Sequence, residues 1–226
     1  MYTSFLIQPI TNLLLVLYGA LGANMGWAII ALTLILRVIL LPLNLPAVKA
    51  GVKQKELAPE LAKLKEQYGK DKKGFAAAQM ELMKKHGFNP LAGCLPQILQ
   101  IVVLFALYKV FIDVLGRGGI NTSFFYLDLG KPDPFVILPV LAGVAQFITS
   151  KVMMPAVKKG EALAEKTDDN KDDLMYNMQK QMLYFMPVMT VVIGYKLPSG
   201  LALYWFVTTL FSLVQQVLLQ KVYTKK

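Results

Sequence analysis

Residues 34–46 read LILRVILLPLNLP. The apolar run continues back to Met25, long enough to cross a bilayer, which takes about 20 residues. Arg37 stands near its middle. A central arginine opposes insertion by about 2.5–3.5 kcal/mol. Snorkelling relieves such a charge near a helix end, but Arg37 is about eight residues from the end of the run. Thr33 and Asn44 fall at i−4 and i+7 from it, on the same helical face. The cation therefore sits on a polar stripe inside an apolar helix, and it needs a partner or water.

The rest of the chain has the same character. Of its 226 residues, 55% are hydrophobic and 17% charged, against about a quarter charged in a soluble domain. The mean hydropathy is +0.48. Residues 1–36 carry no charge, and most lysines fall in blocks 49–85 and 151–180. Long apolar segments alternating with charged ones predict an all-α polytopic membrane protein. The net charge of +10 reads as lysine-rich loops on the cytoplasmic side rather than as a DNA-binding surface. An anionic ribosome surface fits the same charge.

One cysteine, Cys94, leaves no internal disulfide, and one histidine, His86, leaves no His/Cys metal cluster. No Ser/His/Asp set or paired buried carboxylates appear, so neither an enzyme nor a cofactor is expected. The N-terminus lacks the positive n-region of a cleavable signal peptide.

Spacing and punctuation divide the chain as follows. Residues 1–23 are an N-terminal amphipathic helix lying in the interface, too short to span, with Gln8, Thr11 and Asn12 on one face. A frayed start of the first span is the alternative. Spans follow at 24–46, 91–115, 134–154, 182–197 and 200–221, the last two joined by the turn KLPSG. Residues 47–90 form a polar helical hairpin, with GKDKKG as its turn and Pro59 marking a helix start or kink. Residues 116–133 are an outer loop, 155–181 a second polar connector and 222–226 a tail. Stretch 47–90 holds ten lysines, connector 155–180 five and the terminal KVYTKK, from Lys221, three. The positive-inside rule then places the N-terminus outside and the C-terminus in the cytoplasm.

Every span but the short fourth has a polar stripe. Gln97, Gln100 and Tyr108 share a face of the second. The third offers Gln146, Thr149 and Ser150. The fifth offers Tyr204, Thr208, Ser212 and Gln215, with Trp205, Thr209 and Gln216 beside them. The one carboxylate inside a span, Asp113, follows Lys109 by four residues near the outer end, where a local ion pair is expected. No acid lies at the depth of Arg37. Packing glue between helices accounts for single Gln or Ser residues, but not for Arg37. A cavity lined by amides and hydroxyls would tolerate the guanidinium and suit a transient anionic ligand.

Four stretches resemble the YidC/Oxa/Alb family of membrane protein insertases: ILRVILLPL, the hairpin ELAPELAKLKEQYGKD with QMELMKKHG, HGFNPLAGCLPQILQ, and LPSGLALYWFVTTLFSLVQQ. They occur in the family's order along nearly the whole chain. Thr208 and Thr209 stand where many members carry Asn. The resemblance implies five transmembrane helices around a hydrophilic groove, closed outside and open to cytosol and lipid. It places Arg37 in that groove and gives Gln146 and Trp205 groove positions.

The expected groove set is Arg37, Thr33, Asn44, Gln97, Gln100, Gln146, Thr149, Tyr204, Trp205, Thr208 and Ser212. The expected partners are nascent membrane proteins with short acidic tails, the ribosome and signal-recognition targeting machinery at the hairpin, the Sec translocon, and membrane lipids. The rival classes are a small-solute transporter or channel, which needs a path open to both sides, and a passive assembly scaffold.

Overall fold

The computed structural model describes residues 7–69, 71–87, 95–116, 119–153 and 174–224. Cys94, the first six residues and most of the predicted connector 155–181 lie outside the described residues. Those described form eight helices and one short hairpin: α1 (Gln8–Ala20), α2 (Met25–Ile39), α3 (Leu41–Tyr68), α4 (Lys72–Lys85), α5 (Leu95–Gly116), β1 (Ser123–Phe124), β2 (Leu127–Asp128), α6 (Ile137–Met153), α7 (Leu174–Lys196) and α8 (Ser199–Thr224).

Local chemistry sets the boundaries. Pro9 starts α1 with its φ already helical. Asn24 caps α2, its side-chain oxygen accepting from the Gly26 and Trp27 amides at 3.0 and 3.3 Å. The sequence predicts one span over 24–46, but the chain breaks after Ile39. Met25–Ile39 and Leu41–Lys53 meet at 61°. Pro42 explains the break: it offers no N–H to the Val38 carbonyl, and its ring crowds that carbonyl. Beyond the bend α3 runs on into the lysine-rich segment, and Pro59 lies inside it without ending it. Gly69, at φ +48°, turns the chain. Asp71 then caps α4 by accepting from the Gly74 amide at 3.0 Å. α4 packs back on α3, and His86 Nε2 stands 3.5 Å from Glu60 Oε2. α7 starts at Leu174, eight residues before the predicted boundary at 182, and contains Pro187.

α6 packs between α7 and α8, and α2 packs on α8. Gly143 permits the α6–α7 approach, since a Cβ there would stand 2.6 Å from Val191 Cγ2 and 3.1 Å from the Pro187 carbonyl. Among the described residues, α8 alone, over Ser199–Leu219, is long and apolar enough to cross a membrane; the bent pair α2–α3 could do so as one unit. Large apolar side chains point outward along the bundle: Leu34, Val38 and Ile39 on α2, Phe105 on α5, Val144 on α6, Val188 and Val192 on α7. In water such stripes would be sticky; in a bilayer they are the solvated faces.

The main core is confined to one end. It joins Leu14 of α1, Met25 to Leu32 of α2, Ala106 to Val114 of α5 and Leu201 to Tyr204 of α8. These are the starts of α2 and α8 and the end of α5. Phe124, Leu127 and Leu129 of the loop between α5 and α6 complete it. β1 and β2 pair antiparallel, with Ser123 opposite Asp128. The Phe124 ring lies against Gly26 and edge-on to Trp27, centroids 5.6 Å apart. The loop also supplies the partners that the first turn of α8 lacks. The Ser199 amide donates to the Lys131 carbonyl at 2.7 Å, the Gly200 amide to the Leu129 carbonyl at 3.0 Å, and Ser199 Oγ to the Asp128 carbonyl at 2.7 Å. At this end the helices are tied together and dry.

Candidate functional site: a recess around Arg37

Below the core the helices leave a small, partly open recess lined by Thr33, Leu36, Arg37, Leu40, Asn44, Leu99, Gln100, Val103, Tyr204 and Thr208. It draws on α2, α3, α5 and α8. The 61° bend matters here, because it brings Asn44 of α3, which is 8% exposed, to the same recess as Arg37.

Arg37 is half-buried. Its Nη2 donates to Gln100 Oε1 at 3.0 Å, and Gln100 Nε2 donates to the Tyr204 hydroxyl at 3.0 Å. Among the described residues no carboxylate pairs with Arg37. The guanidinium is not left bare: a neutral amide from the facing helix answers it. Gln100 is thus both inter-helix glue and part of the site.

The hydroxyls behave differently. Thr33 Oγ1 donates to the Ile29 carbonyl at 2.6 Å within its own helix. Ser212 donates to the Thr208 carbonyl at 2.9 Å, Thr209 to the Trp205 carbonyl at 2.8 Å and Thr149 to the Ala145 carbonyl at 2.8 Å. Each proton is spent on the preceding turn, so these hydroxyls keep only their capacity to accept. Thr208 Oγ1 is buried beside Tyr204 without a hydrogen bond of good geometry, and Gln216 Nε2 is likewise buried without a partner.

Of the expected groove set, the recess gathers Thr33, Arg37, Asn44, Gln100, Tyr204 and Thr208. Gln146 and Thr149 on α6 and Trp205 and Ser212 on α8 do not line it. The Gln97 side chain lies outside the described residues. Leu36, Leu40, Leu99 and Val103 form an apolar part of the lining that a search for polar stripes passes over. Gln216 is 4% exposed; its one sequence signal is its place seven residues after Thr209, on the same face.

The bend puts Arg37 in the last turn of α2 rather than about eight residues from a helix end; an arginine in a recess flanked by apolar outer faces points to a known group of proteins. Residues 16–226 match the family model described as 60Kd inner membrane protein. The membrane protein insertase YidC of Fusobacterium nucleatum is 39% identical over 201 residues, covering 88% of this chain and 87% of that one. The chain belongs to the YidC insertase family. The insertase MisCA of Bacillus subtilis is 34% identical, with 97% of this chain and 79% of that one covered. The Campylobacter jejuni YidC is 35% identical, but this chain spans only 39% of its length. A crystal structure titled as an active YidC insertase with the first transmembrane domain resolved superposes with a TM-score of 0.67 at 25% identity, covering 95% of this chain and 46% of that one. The family's general role is that of a membrane protein insertase, and its model is that of an inner membrane protein.

Proposed function

We propose that the recess is part of a one-ended hydrophilic groove that carries a short acidic tail of a client part-way across the membrane. In this reading α2 with the start of α3, α5, α6, α7 and α8 are the five spans. α1 lies at the outer interface, and α3 and α4 form a cytoplasmic hairpin. The N-terminus is outside and the C-terminus inside. Arg37 attracts the tail's carboxylates, and the client's apolar segment then leaves past α6 and α8 into lipid, driven by its burial there. The membrane potential assists an acidic tail moving outward by about 2.3 kcal/mol per charge per 100 mV. Gln146, Thr149, Trp205 and Ser212 belong to the part of the groove nearer the exit. The lysine-rich hairpin is the docking face for the ribosome and the targeting machinery, and the Sec translocon is a further partner.

One observation carries the reading: among the described residues the main core cluster lies where α2 and α8 begin, while Arg37 stands outside it and lines the recess. A transporter or channel needs passage through that end, where the loop carbonyls and Phe124 close the bundle. The test is insertion of a single-span client with an acidic tail into vesicles holding Arg37→Ala or Arg37→Lys. Ala is expected to lose about tenfold and Lys to keep most activity, since charge is what is required. Wild-type insertion by both variants would sink the electrostatic role.

A further inference from the structure

The hydrogen bonds around Arg37 fix the orientation of one amide. A guanidinium has only donors, so the Gln100 atom 3.0 Å from Nη2 is the carbonyl oxygen. The NH₂ group must then face Tyr204, whose hydroxyl accepts at 3.0 Å. Tyr204 is itself 3% exposed and belongs to the core. One amide therefore links α2, α5 and α8, aimed by a tyrosine that cannot easily move.

We infer that Gln100 is an exchangeable stand-in for the client's carboxylate, and that Tyr204 is the positioning residue that keeps it aimed. This rests on the groove reading above and specifies how that groove chooses its cargo. An amide oxygen occupies the place of a carboxylate oxygen without its charge. It satisfies the guanidinium while the groove is empty, so Arg37 does not bear the full cost of an unpaired buried cation. The Arg37–Gln100 bond has one charged partner, whereas a carboxylate adds the attraction of its own opposite charge, so an arriving Asp or Glu displaces the amide while an Asn or Gln does not. A glutamate at position 100 would form a permanent pair and shut the site.

The experiment compares Gln100→Glu, Gln100→Met and Tyr204→Phe in full-length protein reconstituted in vesicles. The client is a single-span protein with an Asp-bearing tail, or the same protein with Asn in place of each Asp. Capture is read with a photo-crosslinker at Leu99, as the ratio of acidic to neutral tail. Gln100→Glu is expected to lower that ratio about tenfold. Gln100→Met should raise it roughly threefold by removing the competitor, and Tyr204→Phe should move it in the same direction by less. A purely structural role would scale both clients alike and leave the ratio where it was. That outcome, or a wild-type ratio in Gln100→Glu, overturns the inference. If Arg37→Ala abolishes the acidic preference while Gln100→Glu keeps it, the stand-in falls and the groove survives. If Arg37→Ala keeps the preference too, both fall.

Discussion

Replacing Asp133 with alanine should unfasten the closed end of the bundle. Asp133 is 4% exposed. Its Oδ1 accepts from the Phe135 amide at 3.0 Å, and its Oδ2 from the Leu138 amide at 2.8 Å and the Tyr126 hydroxyl at 3.3 Å. Bonds of this kind to a charged group are worth about 1.5–3 kcal/mol each when removed. The long bond from half-exposed Tyr126 adds little, and the Phe135 amide can turn to water. The buried Leu138 amide, in the first turn of α6, cannot. The loss should therefore be about 2–4 kcal/mol. In a chain of this size that lowers the melting temperature by roughly 5–15 °C. An asparagine side chain in the same place keeps one acceptor oxygen, so Asp133→Asn should recover about half of the loss. The assay is thermal unfolding in detergent followed by tryptophan fluorescence, since Trp27 packs against Phe124 at this end. A parallel proton-leak measurement in vesicles should show the alanine variant leakier than wild type. Melting of Asp133→Ala within about 1 °C of wild type would refute the reasoning, as would an asparagine variant no better than the alanine variant.

Other consequences are as direct. Gly26→Ala drives a methyl group into the Phe124 ring and should cost about 1–3 kcal/mol; adding Phe124→Leu should restore part of the lost melting temperature. Asp128 is held below its ordinary carboxylate value first by the hydrogen bond from Lys131 Nζ (2.9 Å), then by those from the Gly130 amide and Thr122. Its contribution to loop stability is thus present above the ordinary value of 3.8 and lost as pH falls through the lower folded one. The Gly130 amide resonance should titrate with a midpoint below 3.8, and a midpoint at or above it refutes the clasp. Thr208→Val replaces a buried hydroxyl that has no well-formed bond, so the melting temperature should hold or rise; a fall of several degrees would reveal a partner for that hydroxyl.

Much of the fold was legible because apolar runs, prolines and lysine blocks are local signals. The start of α2 at Met25, the turn at Gly69 and the α7–α8 turn follow from such signals. What sequence periodicity misplaced depended on context. The 24–46 segment was expected as one helix, since periodicity cannot measure how far a proline bends a chain. Residues 1–23 were expected to present Gln8, Thr11 and Asn12 as a polar face, yet Thr11 is buried and donates to the Ile7 carbonyl at 2.9 Å. The two-residue strands β1 and β2 are too short to show any period. Polar stripes found six of the lining residues of the recess because they respect helical spacing. They could not separate these from Gln146 or Ser212, whose distance from Arg37 depends on how the helices pack.

By itself the sequence determined that Arg37 lies in a long apolar run, that the apolar stretches carry no acid near it, and that most lysines cluster in segments apart from those stretches. These follow from composition and spacing, which no packing arrangement alters. Only the tertiary structure decided what answers the cation. Gln100 is 63 residues away along the chain and Tyr204 a further 104. Neither pairing is encoded in any local period, because the three residues meet only when α2, α5 and α8 are held together by the core at one end. The same packing tied the helix ends next to the recess, where loop carbonyls meet the first turn of α8, contacts made by backbone groups that every sequence shares.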